Sequence, residues 1–100
     1  MPTPKSNTVI LENVNHPGQK TKGDAAKYQA MRKVFLKIVP KKSPGLSAAE
    51  LYERVVPLLP EKEFPGGATA GWWLKAVQLD LEAKGLLVRE KTSPLRWHKA

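Results

Sequence analysis

The sequence predicts a single, mainly α domain of three helices closed by a small C-terminal β-hairpin. Three observations predict it. Apolar residues recur at three- and four-residue spacing in three separated stretches. Each stretch is bounded by capping residues, prolines or glycine. After the last, "LLVREKTSPLRWHK" alternates apolar and polar residues on both sides of a proline-containing turn. At 100 residues the chain can bury a modest core without a metal or a disulfide. It has no cysteine, so thiolate chemistry and disulfides are excluded.

Residues 1–23 read as an N-terminal arm rich in Pro, Asn, Thr, Gly and Lys. Within it "TVILENV" (8–14) can dock as a short strand, with Val9 and Leu11 on one face and Ile10 and Val14 on the other. "HPGQKTKG" is then expected to break the chain. The domain proper is expected over 24–100. Its first helix starts at an Asp24 N-cap, carries Tyr28, Met31, Phe35, Ile38 and Val39 on one face, and stops at Pro40.

The second helix opens on a Ser47-x-x-Glu50 capping box with Leu46 stapling its entry. Leu51, Val55 and Leu58 form its buried stripe, and Pro57 and Pro60 end it near Val56. The third helix runs from about Ala68 to Lys84, with Gly85 in the position of a C′ glycine. The expected hairpin strands are Leu86–Glu90 and Leu95–His98 around "KTSP".

The third helix contains adjacent tryptophans, Trp72 and Trp73, which point about 100° apart. Trp73, Leu74, Val77 and Leu81 share the face that runs into the Gly85 turn and are assigned to the core. Trp72, Ala76, Leu79 and Ala83 form a second apolar stripe, separated from the first by Lys75, Gln78 and Glu82. Three occupants compete for Trp72: the "TVILENV" segment folded back over it, a protein partner or second copy, or a nucleic acid. Read as an interface, the stripe is Trp72, Ala76, Leu79 and Ala83.

The order of helix, capped helix, longer helix, glycine and basic hairpin resembles a winged helix-turn-helix domain. "GLSAAEL" and "LDLEAKGLLVRE" carry the resemblance. It implies that Leu81 is buried beneath the wing, that Gly85 has positive φ, and that Leu86 and Val88 pack one wing face on the core. It also implies binding to double-stranded DNA, as in transcription regulators, with Thr69 and Lys75 on the third helix facing the duplex. The whole string is similar, too, to a family of small uncharacterised bacterial proteins sharing "AAKYxAMR", "FPGGAxAGWW", "VQLDLEAKG" and "PLRWH", a resemblance that implies no activity.

The net charge of +8 fits a polyanion partner. The excess lies at residues 24–42 (+5) and 85–100 (+3), whereas residues 68–84 are neutral. Major-groove readers usually present Arg, Lys, Asn or Gln, so an indole and a leucine on the third helix depart from that pattern. Phosphate contacts are therefore expected mainly from Lys41 and Lys42 in the first loop and from Arg89, Lys91, Thr92, Ser93 and Arg96 of the wing.

No enzyme is expected. His16 and His98 stand apart, "FPGGATAG" lacks the lysine of a phosphate-binding loop, and Asp80 and Glu82 diverge by about 200° on a helix. No cofactor, metal site or small-molecule substrate is evident. With no signal-like or spanning apolar run, a soluble, cytoplasmic protein is expected.

Overall fold

A computed structural model describes residues 8–100 of the chain. Residues 1–7 of the expected arm lie outside the described residues. The elements are β1 (Thr8–Glu12), β2 (Lys20–Asp24), α1 (Ala25–Ile38), β3 (Leu46–Ser47), α2 (Ala48–Val55), α3 (Ala70–Ala83), β4 (Leu87–Glu90) and β5 (Arg96–Lys99). Short 3₁₀ turns follow α2 at Val56–Leu58 and precede α3 at Pro65–Gly67.

The helices obey their sequence signals. Asp24 caps α1 by accepting from the Lys27 N–H. Ser47 and Glu50 form both halves of the capping box of α2. That helix ends at Val55, because Pro57 allows only a 3₁₀ continuation. Leu58, expected in the buried stripe, is thereby turned outward and half exposed.

The expectation of a mainly α domain with one hairpin is corrected. The fold is α/β, with three helices and two small antiparallel sheets, one ordered β1-β2 and the other β3-β5-β4. Two strands escaped the sequence reading for physical reasons. In β2, "KTKGD" has no apolar alternation: Thr21 is exposed, and Gly23, paired with Val9, is small enough for the chain to lie close to its neighbours. A Cβ on Gly23 would stand 2.9 Å from the Trp73 ring and 3.0 Å from Leu11. β3 is two residues long, too short for a period to show.

A second correction concerns the C-terminal β4-β5 hairpin, for which "wing" serves below only as a label. Leu86 and Val88, expected on the core, are exposed at 41% and 36%, and Leu87 is buried instead. The alternation along the strand is the opposite of that expected: odd-numbered Leu87, not its even-numbered neighbours, takes the inward face. Leu87 and Arg89 therefore point toward α3, while Val88 and Glu90 share the outer face.

Helices α1, α2 and α3 enclose the core, in which Met31, Phe35, Leu51, Phe64, Val77 and Leu81 are fully buried. The β1-β2 hairpin lies on α1 and α3. β4 packs on α3, and β3 joins the wing to the entry of α2.

Candidate functional site

The exposed surface of α3 is organised by its two indoles. Trp73 is buried and meets Trp72 edge-on, with ring centroids 5.0 Å apart and an interplanar angle of 79°. Trp72 itself is 57% exposed. The "TVILENV" segment does fold back as β1 and buries Leu11, but the close approach to an indole is made by Gly23 of the paired strand β2 and falls on Trp73. Trp72 is left at the rim.

From Trp72 the ridge continues through Lys75, Ala76 and Leu79, with a trough on each side. One trough, of about 330 Å³, runs between the ridge and the N-terminal hairpin, where Leu11, Asn13 and Thr21 line it. The other, of about 470 Å³, runs between the ridge, α2 and the wing. Tyr52, Leu74, Leu95 and Trp97 supply much of its wall. Lys75 and Leu79 line both troughs, and Ala83 borders a smaller cavity under the hairpin turn.

The polar strip expected beside the ridge is mostly inside. Gln78 is buried and donates to the Glu82 carboxylate at 2.7 Å. Arg89 grips the same carboxylate through two bonds of 2.9 and 3.1 Å, and its guanidinium lies 5.9 Å from the centre of the Trp97 ring. Only Lys75 of the three strip residues is exposed.

The other residues expected to contact nucleic acid divide into held and open groups. Arg96 donates to Glu50 at 3.0 Å and to the Gly45 carbonyl at 3.2 Å. The Ser47 backbone hydrogen bond, then the nearby Arg96 charge, hold the Glu50 carboxyl below its ordinary range despite some desolvation. Thr69 sits at the start of α3 in left-handed backbone, with its hydroxyl on the Ala68 carbonyl. The Thr92 hydroxyl donates to the Pro94 carbonyl within the wing turn. Lys41, Lys42, Lys91 and Ser93 are exposed. Ser43 donates to Glu90 at 3.2 Å, so the loop bearing Lys41 and Lys42 meets the wing near Lys91.

Two further polar clusters were not visible as such in the sequence. On the hairpin side, Asp80 is fully buried and accepts from the Tyr28 hydroxyl at 2.5 Å, from Lys84 at 2.6 and 2.7 Å, and from the Glu12 N–H at 3.0 Å. Burial, followed by the Asp80 hydrogen bond, pushes the Tyr28 hydroxyl pKa up. Desolvation lowers that of Lys84, but the hydrogen bond and charge of Asp80 outweigh it and the net shift is upward. The one available signal was the i,i+4 spacing of Asp80 and Lys84.

On the outer wing face, His98 Nε2 meets Glu90 at 2.6 Å and Nδ1 meets the Lys99 carbonyl at 2.8 Å. Both partners are acceptors, so both bonds form only in the imidazolium. The Glu90 hydrogen bond raises the His98 pKa, and the same bond lowers that of Glu90.

Among the described residues no group of three or more His, Cys, Asp or Glu is placed to hold a metal. No helix among them is long and apolar enough to cross a membrane. One comparison with known proteins identifies the chain: a family model covers residues 8–97.

The chain belongs to DUF6958, a family of unknown function.

That membership spans both sheets and all three helices, so the N-terminal hairpin is part of the family unit. No curated protein and no solved structure matches the chain.

Proposed function

We propose that this DUF6958 protein is a non-catalytic binding module of the winged-helix type, with the α3 ridge as its contact surface for a protein partner. The observation that carries this reading is Trp72, 57% exposed at the head of a ridge on which Ala76 and Leu79 are half-buried and Lys75 is exposed, bounded by two troughs. Tryptophan is the residue most enriched among interface hot spots, and large exposed apolar patches mark interaction surfaces. Support for the winged-helix type comes from the order of α1, β3, α2, α3, β4 and β5, from the β3-β5-β4 sheet, and from positive φ at Gly85.

A photo-crosslinking amino acid placed at position 72 in cells, with position 26 on exposed α1 as control, tests the surface. Adducts confined to position 72 are expected, and equal yields at both positions would overturn the reading. Light scattering on wild type and Trp72→Glu decides whether the partner is a second copy.

A second reading, duplex DNA, is favoured by one observation. The Ser43–Glu90 contact gathers Lys41, Lys42 and Lys91 at one end of a protein of net charge +8. Against it, Arg89 and Arg96 already hold carboxylates. Binding to random duplex across a salt series decides: phosphate contacts require affinity to fall steeply with salt.

A further inference from the structure

The outer face of the C-terminal sheet carries exposed aliphatic side chains beside a border of lysines. Strand register sets that face. Val88 pairs with His98 and Glu90 with Arg96, and the Ala100 N–H reaches the Leu86 carbonyl at 3.2 Å. Leu86, Val88 and Glu90 thus alternate onto one side, opposite the buried Leu87, and both aliphatics are exposed. The loop after α1 runs along the same sheet. The Lys99 N–H donates to the Pro40 carbonyl at 2.8 Å, and the Ser43 hydroxyl donates to Glu90 at 3.2 Å. Lys41 and Lys42, between those two anchors, border the face on one flank, and Lys91 follows Glu90 at its end. All three are exposed and form no ion pair among the described residues.

Charge on this face is one-sided. Glu90 is the only side-chain carboxylate in β4, β5 and the 40–45 loop, and it is taken up by His98 at 2.6 Å and by Ser43. From these features we infer that the outer wing face docks on the surface of an anionic lipid bilayer. Leu86 and Val88 enter the boundary between headgroups and acyl chains, and Lys41, Lys42 and Lys91 meet the lipid anions. Reversible adsorption of this kind becomes stable when apolar insertion and a basic patch act together, and this face supplies both. Each lysine near such a surface contributes about fivefold in affinity.

Duplex DNA would draw on the same lysines, but phosphate contacts give Leu86 and Val88 nothing to do. The wing's arginines, whose forks suit phosphate best, are occupied: Arg89 by Glu82 and Arg96 by Glu50. The open cations are lysines, point charges suited to a diffuse anionic surface. This inference does not rest on the partner reading of the α3 ridge, whose Trp72 lies on another element.

The test is co-sedimentation of the full chain with vesicles of phosphatidylcholine containing one-third phosphatidylserine, against vesicles of phosphatidylcholine alone. Binding is expected only to the anionic vesicles and should weaken as salt rises. Lys41→Gln with Lys42→Gln should weaken it about thirtyfold. Leu86→Gln with Val88→Thr should weaken it about tenfold while leaving any binding to random duplex DNA unchanged. All four substitutions change exposed residues, and an unchanged far-ultraviolet spectrum confirms that the variants fold. The proposal is overturned if anionic vesicles fail to sediment the protein at low salt, or if the Leu86 and Val88 changes leave vesicle binding intact. It is equally overturned if those changes weaken binding to duplex DNA instead, which would assign the face to nucleic acid. Trp72→Glu should leave vesicle binding intact while removing the ridge contact, so the two readings fail separately.

Discussion

The two β-hairpins grip α3 from opposite flanks, each through a carboxylate of that helix, yet they are held differently. On the N-terminal side, buried Asp80 receives a backbone N–H of β1, a phenol of α1 and the Lys84 ammonium. The apolar contribution of that hairpin is small, mainly Leu11 with Val9 beside it. On the wing side, Glu82 is held by Arg89 and Gln78, but the sheet also buries Leu87 and Trp97 and gains a third strand. A two-stranded hairpin is marginal on its own in water. The polar anchor therefore matters more to the N-terminal hairpin, and apolar burial matters more to the wing.

Substitutions that strike one sheet at a time sharpen that contrast. The largest effect is expected at Gly45, which joins the first loop to β3. Its φ is +88°, and a Cβ there would lie 1.9 Å from the Trp97 carbonyl oxygen, which is backbone and cannot swing away. Gly45→Ala should cost about 4 kcal/mol, combining left-handed strain with overpacking. A correspondingly large fall in the urea midpoint is the check.

Asp80→Ala comes next. It strands the buried Tyr28 hydroxyl and the Glu12 N–H, at an expected cost of about 3 kcal/mol. Hydrogen exchange should show the loss concentrated in β1 and β2, with the wing amides least affected. Uniform acceleration across both sheets would contradict the division of labour drawn above.

Gly23→Ala is the N-terminal counterpart of Gly45→Ala. Its Cβ would press on the side chains of Trp73 and Leu11, which can shift by a few tenths of an ångström. The expected cost is about 1–2 kcal/mol. A penalty equal to that at Gly45 would show that the hairpin is as rigidly seated as the wing.

The smallest effect is the pH dependence of the His98–Glu90 pair. The folded pKa of His98 is raised from 6.5, so its contribution is complete below that value and is lost as pH rises through the folded pKa. Glu90 is lowered from 4.5, so its contribution is present above that value and is lost as pH falls through the folded pKa. The pair should thus stabilise the wing most between about pH 4.5 and 6.5. The melting-temperature gap between wild type and His98→Gln should be widest there and close as pH rises through the folded pKa of His98. A gap that persists into alkaline solution would rule out the charged pair as its cause.

Much of the helical part was legible. Asp24, the Ser47–Glu50 box, Pro57 and Gly85 act through bonds or backbone limits within a few residues, and they bound the three helices nearly where the sequence places them. The helical period likewise separates the two indoles, sending Trp73 inward and Trp72 outward. The sheets were less legible. β2 carries no alternation, β3 is too short to show one, and Leu86, Leu87 and Val88 are all apolar, so the local pattern does not say that Leu87 and Arg89 turn inward. The pairing of Arg89 with Glu82 and of Arg96 with Glu50 leaves the basic wing with fewer free cations than its composition suggests.

The sequence by itself determined the helices, their caps and the existence of a second apolar stripe on α3, because each depends on neighbours along the chain. Only the tertiary structure decided what borders that stripe. The seating of the N-terminal hairpin on Trp73 rather than Trp72, and the trough between α3 and the wing, arise from contacts between residues distant in sequence. The closure of that trough depends on volumes and distances between whole elements, which no local pattern encodes.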